Sequence, residues 1–203
     1  VRLNEGYYSD LAKFFGRTPG APVQYYLYRT KDEKVALTGD SANAHNDFAT
    51  RSVHAVYSES IRAVGYHELA HLFAQAAWGK TGTRLMGEGL AVWFDGAWWR
   101  KPLSYWGGRL WRERKVPALA AIADGGGRYW ETQEDMGYAL AGDFFGFLSR
   151  RFTRAQVRAL YGEPLTDANV RRDLGLSLPA LQAAWYSDLR EQAAGAKDAR
   201  KPL

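Results

Sequence analysis

Residues 67–91 read HELAHLFAQAAWGKTGTRLMGEGLA and decide the fold of this chain. Apolar residues recur at helical spacing, over more than one face, from Glu59 to Trp78, which predicts a long and largely buried helix. The glycines between 79 and 82 end it, and a second helix is predicted from about Leu85 to Asp95. Because the connecting loop is short, the two helices can be antiparallel neighbours.

His67, Glu68 and His71 form an H-E-x-x-H pattern within the first of these helices. Since four residues make about one helical turn, both imidazoles can reach one cation from the same face. Glu68 projects beside them, within reach of a water bound to that cation. The chain has four histidines among 203 residues, so such a pentad is not expected by chance. Two buried histidines that merely satisfy each other are the alternative.

A third metal ligand has to lie further along the chain, because a catalytic zinc ion takes three protein ligands and keeps one position for water. No histidine follows His71 and the chain has no cysteine, so carboxylates remain. Glu88, at the start of the second predicted helix, is the candidate. Asp95 is the competing ligand, and Glu88 could instead be a carboxylate that favours a helix N-terminus.

An H-E-x-x-H helix followed by Glu88-Gly89-Leu90-Ala91 resembles the gluzincin zinc metallopeptidases, and the wider pattern is similar to bacterial peptidase-MA-like domains. The similarity extends through residues 138–148 and 175–185. The resemblance implies one zinc ion per chain, hydrolysis of a peptide or protein substrate, and a helical lobe packed after the active-site helices.

The expected mechanism uses Glu68 as the general base, which takes a proton from the activated water and passes it to the leaving amine. A further donor should stabilise the oxyanion, a role that related enzymes give to Tyr or His. Tyr138, which opens a helix after a Gly-rich loop, is the first candidate, and a plain core tyrosine is the alternative. Tyr129 and His54 are weaker candidates, and His45 is expected to be solvated.

Two departures from the related families narrow these expectations. Thermolysin-like relatives place an Asp one turn after the third ligand to orient a metal-binding His, but this position is Val92. Asp95 is then only a candidate for that supporting role. The G-x-M-E-N signature of the aminopeptidase branch is absent, which disfavours an aminopeptidase.

Composition and charge exclude several other classes of protein. Hydrophobic residues make up 46% and charged residues 24% of the chain, so neither disorder nor a membrane protein is indicated. No transmembrane segment is expected, since no stretch approaches about 18 consecutive apolar residues. The net charge of +5 is spread without a recognition motif, so no nucleic-acid partner is expected. The sequence leaves the oligomeric state open.

Strand patterns occur early and helices late, which predicts an α+β fold with a small N-terminal sheet and a mostly helical C-terminal lobe. We expect one metallopeptidase-like domain over 1–203, with a β-containing part at 1–58, a mainly helical part at 59–194 and a flexible tail at 195–203. Strands are predicted at 22–29 and 52–58, and residues 42–50 as a loop. Further helices are predicted at 3–15, 31–37, 117–123, 135–151 and from Ser177 onward, with a glycine loop at 125–127.

The mode of substrate binding is predicted from the strand at 52–58, which leads into the zinc helix. In gluzincin-like folds such a strand is a sheet edge that an extended peptide can join. We therefore expect internal cleavage, that is, an endopeptidase; an interior strand is the alternative. Trp98, Trp99 and Trp106 could line a cleft or lid, with ordinary packing as the alternative, whereas Trp93 and Trp185 are expected in the core.

Two other functions stay open. One is a catalytically inactive binding module that keeps the peptidase fold, and the other is a zinc hydrolase acting on a non-protein amide such as a cell-wall crosslink. The absence of cysteine and of an initial Met suggests a bacterial extracytoplasmic setting, with any signal outside the sequence.

Overall fold

The computed structural model describes residues 2–123 and 128–198. It shows an α+β fold with a small sheet and a mostly helical C-terminal part, which confirms the predicted fold class. The chain divides into two units, one ending at Lys80 and one beginning at Thr81. The predicted glycine loop at 125–127 lies outside the described residues.

The first unit combines a sheet with helices. Its elements are α1 (Arg2–Phe15), β1 (Gln24–Tyr28), α2 (Lys31–Thr38), β2 (Ala44–Asp47), β3 (Ser52–Val56) and α3 (His67–Trp78). β3 is the middle strand, paired in parallel with β1 and antiparallel with β2. Val53 and Ala55 of β3 pack with Leu72 of α3 in a buried cluster, so this face of the sheet supports the H-E-x-x-H helix.

The expectation that the strand at 52–58 forms a sheet edge is wrong. Within the described residues, β2 and β1 are the outer strands and β3 has a partner on each side. The sequence pattern missed β2 altogether, since residues 42–50 were expected to form a loop. Its residues Ala-His-Asn-Asp have low strand propensity, and they are extended because they pair with β3.

The predicted helix from Glu59 is shorter than expected, because α3 begins only at His67. The preceding segment instead turns back on β3: the Ala63 amide donates to the Val56 carbonyl at 3.0 Å, and Tyr57 pairs with Arg62 in an isolated bridge. Val64 packs on the same buried cluster as Val53 without being helical. Burial against a strand therefore produced the apolar spacing that resembled a helix.

Helix α1 packs against α3 through aromatic side chains. The rings of Tyr8 and Phe73 lie 4.8 Å apart, edge to face, and those of Phe15 and Trp78 lie 5.1 Å apart in a similar arrangement. Leu11 and Phe73 are fully buried. The apolar face predicted for residues 3–15 therefore packs on α3.

The second unit is helical apart from a two-stranded hairpin. Its elements are α4 (Arg84–Asp95), β4 (Ala97–Trp98), β5 (Lys101–Pro102), α5 (Leu103–Arg112), α6 (Leu119–Ala123), α7 (Arg128–Thr132), α8 (Glu134–Arg151), α9 (Arg154–Tyr161), α10 (Asp167–Leu174) and α11 (Leu178–Asp198). The predicted helices at 85–95 and 135–151 are confirmed as α4 and α8. Since α11 continues to Asp198, residues 195–198 are helical, and the rest of the predicted tail lies outside the described residues.

Helices α4 and α8 approach each other closely at two glycines. A Cβ on Gly89 would lie 2.5 Å from the carbonyl oxygen of Ala141, and a Cβ on Gly142 would lie 2.6 Å from Val92 Cγ1. Larger residues at these positions would push the helices apart. Among the described residues, none of the helices has both the length and the apolar character needed to cross a membrane.

Candidate metal centre

The first turns of α3 bring two imidazoles together. His67 is the first residue of the helix and His71 lies one turn further on, and their ring centroids are 5.0 Å apart at an interplanar angle of 80°. Both side chains are partly exposed, whereas Leu69 and Ala70 between them are buried. The helix thus presents its two histidines on one side and its apolar residues on another, as the four-residue spacing predicts.

Glu88 is held in the second turn of α4. The side chain of Thr83 caps this helix by accepting a hydrogen bond from the Met86 amide at 3.2 Å, which fixes where the helix begins. Gly87 and Gly89 on either side of Glu88 are buried, while Glu88 itself is partly exposed. The Glu88 side chain is therefore not part of the buried core.

His67, His71 and Glu88 each offer one ligand atom, and these atoms lie within 4.8 Å of one another. Two imidazole nitrogens and a carboxylate oxygen at this separation can hold one metal ion. Of the two carboxylates considered from the sequence, Glu88 belongs to this group. Asp95, exposed at the end of α4, does not belong to the clusters found among the described residues.

Glu68 lies on α3 between the two histidines and has a partner that sequence reasoning missed. Asn46 of β2 donates a hydrogen bond from Nδ2 to Glu68 Oε2 at 2.8 Å. The segment around Asn46 was expected to be a loop, and no sequence signal connects it with position 68. This contact arises only because β2 pairs with β3 beneath α3.

Tyr25 of β1 is a second neighbour of Glu68 that the sequence did not single out. Burial raises the pKa of its phenol, and the negative charge of Glu68 raises this pKa further. The hydroxyl oxygen is buried and has no hydrogen-bond partner within the part of the chain that the structure describes. Tyr25 therefore stays neutral over the physiological pH range and forms part of the low-dielectric wall near Glu68.

Tyr138, the first candidate for oxyanion stabilisation, sits in an aromatic cluster on α8. Its ring stacks on Trp98 at 5.0 Å and meets Trp130 edge-on at 5.7 Å. Burial raises the pKa of Tyr138 to about 12, and the charge of Glu88 contributes in the same direction. The phenol thus keeps its proton and lies close enough to Glu88 to sense its charge.

Arg84 joins this aromatic cluster to the start of α4. Its guanidinium lies 4.4 Å from the centroid of the Trp130 ring; it donates to the Tyr138 hydroxyl at 3.3 Å and also bonds Glu134. Arg84 precedes Glu88 by one helical turn, so both point to the same side of α4. Sequence reasoning missed Arg84, because a basic residue near a helix start carries no distinctive signal.

Tyr161 is a further neighbour of Glu88 that was not predicted. It is the last residue of α9 and is 2% exposed. Burial raises the pKa of its phenol, and the charge of Glu88 adds to the effect. Two neutral tyrosines, Tyr138 and Tyr161, therefore lie within electrostatic range of Glu88.

The structure explains why the position one turn after Glu88 is not an acid. Val92 is fully buried, and its Cγ1 faces the backbone of α8 at Gly142. A carboxylate there would lie in the core of the second unit without a solvent partner. The position at which thermolysin-like enzymes carry an orienting Asp therefore holds a packing residue in this chain.

The weaker candidates have other roles. His54 lies on the face of the sheet opposite Val53 and Ala55, where its ring nitrogens contact the Tyr28 hydroxyl at 2.7 Å and the Ser52 hydroxyl at 3.0 Å. His45, expected in a loop, is in β2 and stacks on His54 at 4.8 Å. The hydroxyl of Tyr129 is buried and has no hydrogen-bond partner among residues 2–123 and 128–198, and burial raises its pKa to about 12.

The tryptophans divide between packing and exposure. Trp185 is fully buried, as expected, and donates to Asp143 Oδ1 at 2.9 Å, whereas Trp93 is only partly buried. Trp106 donates to the Trp98 carbonyl at 2.7 Å, which ties α5 to the hairpin. Trp99, at the hairpin tip, is 66% exposed.

No protein family, curated protein or solved structure matches this chain.

Proposed function

We propose that this chain is a zinc metallopeptidase of the gluzincin type, with His67, His71 and Glu88 as ligands and Glu68 as general base. The proposal rests on one observation: the H-E-x-x-H pentad and Glu88, apart in sequence, offer ligand atoms within 4.8 Å of one another. Two imidazoles and one carboxylate are a ligand set that catalytic zinc favours, and three protein ligands leave a position for water.

His67, His71 and Glu88 would hold the zinc ion, which would supply Lewis acidity for the attack of water on a peptide carbonyl. Glu68 would accept a proton from the attacking water and deliver it to the leaving amine. Tyr138 is a fitting oxyanion donor, because its phenol keeps its proton up to a pKa of about 12 and lies near Glu88. Arg84 donates to the same hydroxyl, so this contact uses the phenolic oxygen as acceptor and not the phenolic proton.

The substrate strand, in this proposal, pairs with β2. Within the described residues β2 has β3 on one side only, and its Asn46 contacts Glu68. An extended peptide that joins this edge by main-chain hydrogen bonds would pass the general base. This arrangement favours internal cleavage of an extended chain, and it replaces the strand at 52–58 with β2 as the binding edge.

The test is to compare wild type, Glu68→Gln and His71→Ala for zinc content and for cleavage of a broad library of quenched fluorescent peptides. We expect one zinc per chain in wild type and in Glu68→Gln, with hydrolysis lowered by roughly 10²- to 10⁴-fold in Glu68→Gln because the amide cannot accept the proton. The affinity for zinc should be orders of magnitude lower in His71→Ala than in wild type, because one of the three ligands is missing. Glu59→Gln, at an exposed position, is the matched control and should behave as wild type.

The same variants, assayed also on cell-wall fragments, separate the rival functions. Stoichiometric zinc with no hydrolysis of any peptide would contradict the peptidase and favour an inactive binding module. Release of products from cell-wall fragments, but not from peptides, would favour a hydrolase of non-protein amides. Wild type without zinc would contradict the metal site itself.

A further inference from the structure

We propose that Asn46 is a positioning residue that fixes the Glu68 carboxylate and leaves Oε1 as the oxygen that accepts the proton from water. This inference rests on the proposed function, since it assigns a role to a neighbour of the general base. Its structural part, the hydrogen bond between the two side chains, can be tested without any catalytic activity.

The orientation of Asn46 follows from the register of the sheet. Asn46 pairs with Val53 of β3, and side chains of directly paired residues lie on the same face. Val53 is 1% exposed and packs with Leu72 of α3, so Asn46 points to the side of the sheet that α3 covers. His45, the preceding residue, stacks on His54 on the opposite face, as the alternation along a strand requires.

The hydrogen bond occupies one oxygen of the carboxylate. Asn46 Nδ2 lies 2.8 Å from Glu68 Oε2, a length typical of a bond to a charged acceptor, and such bonds are stronger than neutral ones. A carboxylate held through one oxygen loses rotational freedom about its last torsion. Oε1 is then the oxygen that remains to meet a proton donor, and proton transfer depends on this geometry.

The composition of β2 supports a role beyond pairing. Asn and Asp are depleted in strands, yet β2 contains both in four residues. An amide also suits the position chemically, because it donates at every pH and carries no charge. A Lys there would form an ion pair with Glu68, whereas an Asp would place two carboxylates together and repel it.

The kinetic test uses Asn46→Ala, Asn46→Asp and Asn46→Gln, with a peptide that wild type cleaves. We expect kcat to fall roughly 10- to 100-fold in the Ala and Asp variants, with KM and zinc content near those of wild type. Asn46→Gln, which keeps the amide donor, should recover part of the loss. Asn43→Ala is the matched control: this exposed residue precedes β2, and its carbonyl, which accepts from the Val56 amide at 2.9 Å, is kept.

A purely structural role for Asn46 would give a different result. If the bond only ties β2 to α3, the variants should melt at lower temperature, lose zinc or raise KM, and kcat would follow those changes. Unchanged kcat in Asn46→Ala would overturn the inference while leaving the proposed function intact.

The activity-independent measurement is the NMR signal of the Asn46 side-chain amide in ¹⁵N-labelled protein. We expect its proton shifts to change in Glu68→Ala and to stay the same in Glu59→Ala. An unchanged signal in Glu68→Ala would overturn the inference whether or not the protein is a peptidase. If the signal changes but the wild type cleaves no peptide, the hydrogen bond would be supported. The positioning role and the proposed function would then both be contradicted.

Discussion

The two units hold their proposed site residues by different kinds of contact. In the first unit, Tyr26, His54 and His45 form a ladder across β1, β3 and β2, with ring centroids 4.7 and 4.8 Å apart. Nearby Lys34 is fully buried and its Nζ lies 2.7 Å from Asp40 Oδ1. Hydrogen bonds, stacked rings and charges therefore set the position of β2, and with it of Asn46.

In the second unit, the position of Glu88 depends on how closely α4 can approach α8. The approach is possible because Gly89 and Gly142 carry no side chain. A Cβ at either position would clash, with the Ala141 carbonyl or with Val92, so side-chain volume limits how closely the helices approach. Added volume between α4 and α8 should therefore destabilise the second unit, whereas the polar contacts of the first unit make its sheet sensitive to pH.

The largest expected effect is that of Gly89→Ala. Its Cβ would lie 2.5 Å from the Ala141 carbonyl oxygen, and backbone cannot move aside as a flexible side chain can. We expect the free energy of unfolding to fall by roughly 3 kcal/mol, with weakened zinc binding because Glu88 shifts with α4. Urea denaturation measures the free energy of unfolding, and zinc titration measures the affinity for zinc.

Gly6→Ala is the control for this change. Gly6 lies within α1, and a Cβ there would meet no atom within 4 Å. Alanine at this exposed position should stabilise α1 by up to about 1 kcal/mol. Equal effects of the two substitutions would contradict the close contact between α4 and α8.

Acid should act on the two units with opposite signs. In the first unit burial lowers the pKa of His54, and the charges of His45 and Lys34 lower it further. The unfolded state therefore binds more protons, and stability should fall as the pH drops below about 6.5. In the second unit burial raises the pKa of Asp143 to about 6 from 3.8, so its contribution should rise as the pH falls from about 6 towards 4.

Variants separate these two pH effects. His54→Gln should remove the loss of stability between pH 7 and 5, whereas Asp143→Asn should remove the gain, which amounts to about 3 kcal/mol from the size of the shift. Urea denaturation at a series of pH values gives the slope for each variant. If His54→Gln left the acid sensitivity unchanged, the ladder would not be its origin.

The smallest expected effect concerns the hairpin turns. Arg100 in the β4–β5 turn has a φ of 60°, and Arg51 in the β2–β3 turn has a φ of 53°. Glycine adopts this left-handed conformation without the steric cost that a Cβ brings. Arg100→Gly and Arg51→Gly should each stabilise the protein by roughly 0.5–1 kcal/mol, as thermal unfolding can measure.

Arg158→Gly, at an exposed position inside α9, supplies the contrast for the turn variants. In a helix interior, glycine costs about 1 kcal/mol relative to a good helix former. Stabilisation by glycine at 100 and 51 but destabilisation at 158 would assign the effect to backbone conformation. Destabilisation at all three positions would contradict it.

The sequence alone determined the features that depend on local spacing. His67 and His71 meet because residues four apart share a helix face, and α4 and α8 were predicted because their apolar periodicity is long. The choice of Glu88 over Asp95 was narrowed by the sequence and is supported by the ligand atoms that lie within 4.8 Å of one another. Tyr138 lies on the predicted helix α8, but one turn after its start at Glu134, and its neighbours Trp98 and Arg84 were not foreseen.

Only the tertiary structure decided which strand is the edge, where α3 begins and which side chain holds Glu68. β2 has no strand pattern of its own and is extended because β3 supplies its hydrogen-bond partners, a non-local condition that no window of sequence contains. Val64 was predicted to be helical from its apolar spacing, but this residue is apolar because it packs on the same cluster as Val53. Asn46 reaches Glu68 because pairing across the sheet brings together residues that are remote in sequence.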